Sequence, residues 1–153
     1  MRTMFAKTCP TVLLNWFLLI ANANCKVNSA FPVLRYGRQY PRDLSNFGTP
    51  AAAAAAGELI AWSRILDDEE ALCIVNGHGT ENRGGDVTVD AALNGASGAT
   101  MRVIANSAQA VAGTSYAGTH PVGQRVDVHV KDGRRYVEIR EVAPSEVLIL
   151  INR

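Results

Sequence analysis

Residues 124–142 read QRVDVHVKDGRRYVEIREV and carry the strongest local fold signal in the chain. Apolar and polar residues alternate on both sides of Asp132-Gly133, a pattern typical of half-buried strands. An Asp-Gly pair favours a two-residue type I′ turn, because both central residues of that turn need a positive φ. Such a loop pairs Lys131 with Arg134, so the stretch predicts an antiparallel β-hairpin.

The register of this hairpin sorts its side chains onto two faces. Val128 lies opposite Val137, and Val126 lies opposite Ile139. We expect these four residues to form an apolar face toward a core. The same register predicts three pairs on the other face: Arg125 with Arg140, Asp127 with Glu138, and His129 with Tyr136. Because like charges directly opposite one another are unfavourable, this second face is expected to be solvated.

The rest of the chain after Gly57 continues in the same way. Its short segments are rich in β-branched residues, have turn residues between them, and are not separated by amphipathic helices. This organisation favours a mainly β fold, an antiparallel Greek-key-type sandwich of about seven strands, preceded by an N-terminal helical or apolar segment. The predicted strands are Leu59–Ile65, Glu70–Asn76, Gly85–Ala91, Thr100–Asn106, Gln124–Val130, Arg135–Val142 and Glu146–Ile151.

Composition and charge set limits on the class of protein. A chain of 153 residues matches one domain, since domains commonly have about 100–200 residues. Its 15 Lys and Arg nearly balance its 14 Asp and Glu, so we expect no nucleic-acid partner, which requires clustered positive charge. The three cysteines (Cys9, Cys25 and Cys73) are far apart in sequence, which excludes a disulfide scaffold and a zinc ribbon. We expect no cofactor and no metal ion.

The N-terminal segment, residues 1–25, differs from the rest. Arg2 and Lys7 precede an apolar run at 11–21, and an Ala-x-Ala pattern follows. This order is typical of a secretory signal peptide. There are two alternatives: a core helix, or non-native translation upstream of a truncated reading frame. The run is shorter than the ~20 apolar residues of a membrane helix, so no stable span is expected. The chain is expected to be secreted if residues 1–25 act as a signal, and cytoplasmic otherwise.

Residues 26–56 separate this segment from the all-β domain at 57–153. Pro41, Gly48 and Pro50 predict an irregular course for the chain. The six-alanine tract at 51–56 favours a helix by propensity, but it is too short to hold one in water. We interpret the tract as a connector.

Few residues in the sequence point to chemistry. The acidic cluster at 67–70 is expected to be a solvated turn between two strands, because consecutive carboxylates do not converge on a cation. His78 lies between two glycines and has no second histidine near it in sequence, so we expect it to serve a turn and not catalysis. Trp62 and the tyrosines Tyr36, Tyr40, Tyr116 and Tyr136 have side chains able to stack on a sugar ring. We select Trp62 and Tyr116 as candidate carbohydrate contacts, although a Trp in an alternating strand is more often part of a core.

Three phrases resemble the C-terminal region of the α-amylase family of glycoside hydrolases. Residues 30–37 (AFPVLRYG) are similar to the end of the last barrel helix, residues 60–76 (IAWSRILDDEEALCIVN) to the first hairpin of the C-terminal sandwich, and residues 142–150 (VAPSEVLIL) to its last strand. Taken in order they cover about residues 27–153. The resemblance implies that 26–56 contains the remnant of the last barrel helix and a linker.

This resemblance also implies what the chain lacks. Family members hold their catalytic carboxylates on the strands of a (β/α)₈ barrel, which needs ~250 residues, and none of the motifs that carry them occurs in this sequence. No catalytic residue is therefore transferred. The expectation is a non-catalytic C-terminal β-sandwich domain of an α-amylase-like enzyme acting on α-glucans, in a truncated chain with a structural or accessory role in carbohydrate metabolism.

The expected partners of such a domain are an α-glucan or oligosaccharide and a (β/α)₈ barrel domain. A severed barrel interface predicts an exposed apolar patch near residues 31–47. The alternative is a small secreted carbohydrate-binding module that uses residues 1–25 as a signal. A third hypothesis is an independent hydrolase with a site around His78, Glu81 and Asp86.

Overall fold

The computed structural model describes residues 30–47, 49–109 and 118–153. Within these ranges the chain is mainly β, as predicted, and each of the seven predicted strands is present to within two residues at either end. The helix is α1 (Pro32–Tyr36). The strands are β1 (Arg38–Pro41), β2 (Leu44–Ser45), β3 (Leu59–Leu66), β4 (Glu69–Asn76), β5 (Arg83–Val89), β6 (Thr100–Asn106), β7 (Arg125–Lys131), β8 (Arg134–Val142) and β9 (Val147–Ile151).

These strands form one antiparallel sheet that folds over on itself. Their order is β1-β3-β4-β9-β6-β7-β8-β5-β2. Residues 125–127 of β7 pair with β6, whereas residues 128–131 pair with β8. Strands that turn a corner in this way connect the two layers of a sandwich. The two halves of the sheet therefore face each other as an antiparallel Greek-key-type β-sandwich.

The main core lies between the two halves. One half contributes Leu59, Ala61, Leu72, Ile74, Met101, Val103, Leu148 and Leu150, and the other contributes Leu44, Val87, Val89, Val137, Ile139 and Val142. A second apolar cluster lies on the outer face of β4 and β9, where Val33 of α1 covers Cys73, Ile149 and Ile151. β9 is therefore buried on both faces, which explains why its sequence is continuously apolar.

The predicted hairpin is confirmed at its turn and in four cross-strand pairs. Asp132 and Gly133 have φ values of 50° and 74°, as a type I′ turn requires. Lys131 pairs with Arg134, and the register continues to Val128 opposite Val137. The prediction is wrong beyond that point, because β7 leaves β8 there and pairs Arg125, Val126 and Asp127 with β6. Val126 and Val128 still pack against the core.

Two short strands form where the sequence predicted an irregular chain. β1 and β2 are short and show little alternation of apolar and polar residues, so the sequence carries no strand signal there. They become strands by pairing with the edges of the sheet at β3 and β5. They occupy the two opposite edges of the sheet, and only Arg42-Asp43 lies between them in sequence. In the alanine tract, Ala52 bridges to Leu44 and the residues form no helix, in agreement with a connector.

Only the first two residues of the acidic cluster at 67–70 lie in a turn. Asp67 and Asp68 form the two-residue turn between β3 and β4, but Glu69 and Glu70 begin β4 and are buried. The prediction of a fully solvated cluster is therefore wrong for its second half. It failed because Leu66 pairs directly with Glu69, so the turn has room for two residues only.

Buried Glu70 closes the corner at which the chain passes from one sheet edge to the other. Its Oε1 lies 2.7 Å from Nη2 of Arg42, and the Ser63 hydroxyl donates to the same oxygen. Its Oε2 accepts hydrogen bonds from the backbone N–H of Asp90 at 3.0 Å and from Nδ2 of Asn94 at 2.6 Å. Arg42 also donates from Nε to Oγ of Ser63 at 2.7 Å. We call these five residues the Glu70 clasp.

Residues 1–25, the candidate signal peptide, lie outside the described residues. In the described part of the chain, no helix has the length and apolar character needed to cross a bilayer.

Replacing Glu70 by Gln is expected to lower the free energy of unfolding by about 3 kcal/mol, because it leaves the Arg42 charge with only the more distant Asp90 carboxylate, 3.8 Å away. Urea unfolding followed by circular dichroism measures the change, and the m-value should stay constant. Glu81→Gln is the matched control: it removes an exposed carboxylate 3.0 Å from Arg83, a pair expected to contribute about 0–1 kcal/mol. Equal midpoints for the two variants would contradict a central role for the clasp.

Replacing Gly133 by Ala is expected to destabilise the fold by about 1–2 kcal/mol, the cost of holding a Cβ in the left-handed region. A Cβ at Gly133 would meet no atom within 4 Å, so backbone strain is the expected cause. Gly79→Ala is the control, since Gly79 has equally open surroundings but no left-handed φ. Thermal unfolding of both variants separates the two cases: a similar loss at both sites would contradict the turn assignment.

Candidate functional site

A cleft of about 340 Å³ opens on the outer face of β5 and β8. Val87 and Val137 point into the core, so their neighbours along the two strands point outward. The strand residues that line the cleft are Asp86, Thr88, Lys131, Arg134 and Tyr136, and Asp132 adds the hairpin turn. The alternation predicted for the hairpin therefore places one apolar face in the core and one polar face at the cleft.

The opposite wall of the cleft comes from the connection after β2. Ser45, Thr49, Pro50 and Ala51 line it. The base of this connection is fixed by two backbone hydrogen bonds between Leu44 and Ala52, at 2.7 and 2.8 Å. Inside it, the Ser45 hydroxyl donates to the Thr49 carbonyl oxygen. We call residues 45–47 and 49–51 the cleft wall.

Asp43 connects the cleft floor to the corner of the sheet. Its backbone N–H donates to Oγ1 of Thr88 at 3.0 Å, and its carbonyl oxygen accepts from the Thr88 backbone N–H at 3.0 Å. Its carboxylate lies 3.0 Å from Nη1 of Arg134. Asp43 directly follows Arg42, which the Glu70 clasp holds in place. The clasp therefore also helps to position Asp43 and, through it, the floor of the cleft.

Two groups in the cleft have raised pKa values. Burial raises the pKa of Asp86 above its ordinary value, and the nearby Glu138 carboxylate adds to this effect. Lys131, Arg140 and His129 act in the opposite direction. Burial also raises the pKa of Tyr136, again with help from the two carboxylates, so its hydroxyl keeps its proton at neutral pH and can donate a hydrogen bond.

The charges that line the cleft balance. Lys131 and Arg134 are positive, and Asp86 and Asp132 are negative. The Tyr136 ring also packs against His129, with their centroids 5.5 Å apart and an interplanar angle of 35°. The arrangement combines one oriented aromatic ring with hydrogen-bond donors and acceptors of both signs.

The two residues selected from the sequence as sugar contacts do not lie in this cleft. Trp62 is half-buried on the outer face of β3, where it packs against the cluster under α1. Tyr116 lies outside the described residues. Sugar contact by either residue stays a prediction.

His78 serves the turn after β4. Its Nδ1 accepts hydrogen bonds from the backbone N–H groups of Thr80 at 3.2 Å and Glu81 at 2.9 Å. Its Nε2 lies 3.8 Å from Oε2 of Glu81. Of the three residues in the hydrolase hypothesis, only Asp86 lines the cleft.

Cys73 and the potential metal ligands were the remaining reactive side chains of interest among the described residues. Burial raises the pKa of the Cys73 thiol to about 12, so the thiol stays protonated. Among the described residues, no three His, Cys, Asp or Glu side chains are placed to hold a metal ion.

Sequence reasoning noted Asp86 and Tyr136 separately and did not bring them together. They lie 50 positions apart, and both line the cleft because Thr88 pairs with Tyr136 and Asp86 with Glu138 across β5 and β8. The polar face predicted for the hairpin was the one sequence feature that pointed to the cleft. The sequence did not show that β5 is the second neighbour of β8, so Asp86 could not be placed beside that face.

Comparison with known proteins leaves the chain without an assigned family. No protein-family model matches the sequence, and no curated protein matches it.

We predict that the contribution of Asp86 to the free energy of unfolding falls as pH rises from below its ordinary pKa of 3.8 to above the raised one. The folded chain holds this proton more tightly than the unfolded chain does, so deprotonation favours unfolding. The Asp86→Asn variant should lose this contribution to the dependence of stability on pH. Glu138→Gln should lower the pKa of Asp86, because it removes a neighbouring negative charge. Carboxyl NMR titration and urea midpoints across this range measure both effects. An Asp86 titration at or below 3.8 would contradict the assignment.

Proposed function

We propose that the chain is a non-catalytic β-sandwich that binds neutral oligosaccharides of the α-glucan type, as an accessory domain of an α-amylase-like enzyme. The cleft between β5, β8 and the cleft wall is the observation that carries this proposal. It places the Tyr136 ring beside the Asp86 carboxylate and the Thr88 hydroxyl in a concave surface.

The chemistry of a sugar supports this assignment. A pyranose ring has an apolar face of C–H groups and a rim of hydroxyls. The Tyr136 ring offers a surface for the face, and Asp86 offers an acceptor for the hydroxyls. Small-molecule sites commonly combine an apolar surface with a few placed polar groups.

The charge balance of the lining favours a neutral ligand. Arg134 is already paired with Asp43 at 3.0 Å. Lys131 lies near two acidic side chains of the same cleft. An anionic ligand would have to compete with these carboxylates, and a cationic ligand with Lys131 and Arg134. A polyhydroxylated neutral ligand uses both kinds of group.

The position of α1 supports an accessory role beside a barrel. α1 ends at Tyr36, the N–H of the C-cap residue Gly37 donates to the carbonyl oxygen of Val33 at 2.9 Å, and β1 follows at Arg38. This is the order that the resemblance implies for a last barrel helix leading into a sandwich. Tyr36, Tyr40 and Phe47 are exposed large hydrophobic residues within 31–47. We propose that Tyr36 and Tyr40 contact the barrel in the intact enzyme.

Binding of maltooligosaccharides to the full chain, measured by calorimetry and by NMR shifts of cleft residues, tests the carbohydrate proposal. Tyr136→Ala should weaken binding at least about tenfold, as expected when an aromatic anchor is lost. Tyr40→Ala is the matched control, because Tyr40 is exposed on β1 and does not line the cleft. The absence of binding by the folded wild-type chain, or an equal loss in both variants, would contradict the assignment.

A further inference from the structure

β1 is an edge strand whose outer side presents backbone groups. In the described part of the chain β3 is the only strand that pairs with β1, and all four residues of β1 are exposed. Just after β1, the backbone N–H of Arg42 donates to the carbonyl oxygen of Ala61 at 3.0 Å. Bonding alternates along an antiparallel pair, so every second residue of β1 has its backbone groups on the outer side. These residues are Gln39 and Pro41.

The outer side of β1 suits a short extended segment. Gln39 offers a backbone N–H and a carbonyl oxygen, whereas Pro41 offers only a carbonyl oxygen because proline has no N–H. A strand laid beside β1 can therefore exchange hydrogen bonds with Gln39 and donate one to Pro41. Adding a strand to an exposed sheet edge is a recurrent mode of peptide recognition.

The chain around this edge carries positive charge without nearby acidic partners. Residues 30–41 read AFPVLRYGRQYP and contain Arg35 and Arg38 but no Asp or Glu. Arg64 is the one charged residue of β3, and its Nη2 donates to the carbonyl oxygen of Arg35 at 3.3 Å. Within the described ranges, none of these three arginines forms an ion pair. A carboxylate brought to this edge would therefore find unpaired guanidinium groups.

These arginines are reached from both faces of the edge. Arg64 lies directly opposite Gln39, so the two side chains share one face of the sheet. Arg38 precedes Gln39 and therefore projects to the other face. Asp67 and Asp68 follow in the turn beyond β3 and pair with none of the three arginines. An added strand can thus place carboxylates near an arginine on either of its faces.

Two exposed tyrosines extend the same surface. Tyr36 is 64% exposed and Tyr40 is 41% exposed. The guanidinium of Arg35 lies 5.2 Å from the centroid of the Tyr36 ring. Tyrosine and arginine are the residue types enriched at protein interfaces and among their energetic hot spots. We define the β1 edge surface as Arg35, Tyr36, Arg38, Gln39, Tyr40 and Arg64.

A second copy of the chain fits this surface poorly. Two copies pairing through β1 would share one surface across a two-fold axis, so arginines would face arginines. Charged residues and proline on an edge strand also discourage pairing between like edges. A segment of opposite charge meets neither obstacle.

We propose that the β1 edge surface docks an extended acidic segment of a neighbouring protein domain, which adds to the sheet as a short strand beside β1. The inference rests on the proposed contact of Tyr36 and Tyr40 with a neighbouring domain, and it does not depend on sugar binding in the cleft. Backbone hydrogen bonds hold the segment, the arginines select its charge, and the tyrosines supply apolar contact area.

NMR titration of the full chain with two blocked peptides, Val-Glu-Val-Glu-Val and its basic counterpart Val-Lys-Val-Lys-Val, tests the inference. We expect the acidic peptide to bind at least about tenfold more tightly, because opposite charges attract and like charges repel at the surface. Its binding should shift the Gln39 amide signal and slow the hydrogen exchange of that amide. Added salt should weaken binding, since the charges are near solvent.

Three variants separate charge from strand pairing. Arg38→Gln should weaken binding of the acidic peptide about threefold, within the range of an exposed ion pair. Gln39→Pro removes the outward N–H and no charge, and an edge strand tolerates proline there; it should weaken binding about fivefold, the effect of one lost hydrogen bond. Arg125→Gln is the matched control, because Arg125 is exposed on β7, away from β1 in the strand order. Circular dichroism checks that each variant is folded.

The outcomes distinguish this inference from the carbohydrate function. Equal affinity for the two peptides, an unmoved Gln39 amide, or equal losses in Arg38→Gln and Arg125→Gln overturns the docking inference. Concentration-dependent protection of the Gln39 amide without peptide also overturns it, since the occupant would then be a second copy. A chain that binds maltooligosaccharides but not the acidic peptide loses the docking inference alone. A chain that binds the acidic peptide but no sugar keeps the docking inference and loses the carbohydrate function.

Discussion

The ion pair between Arg42 and buried Glu70 is the contact on which the rest of this structure depends. The two edge strands of the sheet are β1 and β2, and only Arg42-Asp43 joins them along the chain. Glu70 lies at the start of a central strand and meets Arg42 there at 2.7 Å. Because a buried carboxylate is costly without partners, the corner can form only when the donors of β3, the β5–β6 connection and Arg42 come together. The contact therefore makes the closure of the sandwich specific.

The cleft is a consequence of this closure. Asp43, the residue after Arg42, bonds to Thr88 on the cleft floor and pairs with Arg134 at its margin. β2 then pairs with β5 and starts the cleft wall. The Glu70 clasp, a buried polar network, thus helps to position the polar lining of the cleft on the outer face of the sheet. The cleft wall is in this way tied to the strands of the sheet by backbone hydrogen bonds.

Packing on both faces of β4 and β9 explains the other half of the molecule. One face contributes to the core between the two halves of the sheet, and α1 covers part of the other. The short helix has too few residues to be stable alone, so its conformation depends on Val33 packing against the sheet. The segment that resembles the end of a barrel helix is thereby an integral part of the sandwich. Tyr36, at the end of the helix, remains exposed.

The sequence by itself determined the seven longer strands, the Asp132-Gly133 turn and the inward face of the hairpin, because alternation and turn chemistry are local properties. The continuous apolar run of β9 is a local property too, and it agrees with the burial of this strand on both faces. Only the tertiary structure decided that β7 leaves β8 for β6, that Glu70 is buried, and that Asp86 meets Tyr136 in a cleft. These features depend on which strands become neighbours. Pairing between residues far apart in sequence is set by the closure of the whole sheet, which no local pattern encodes.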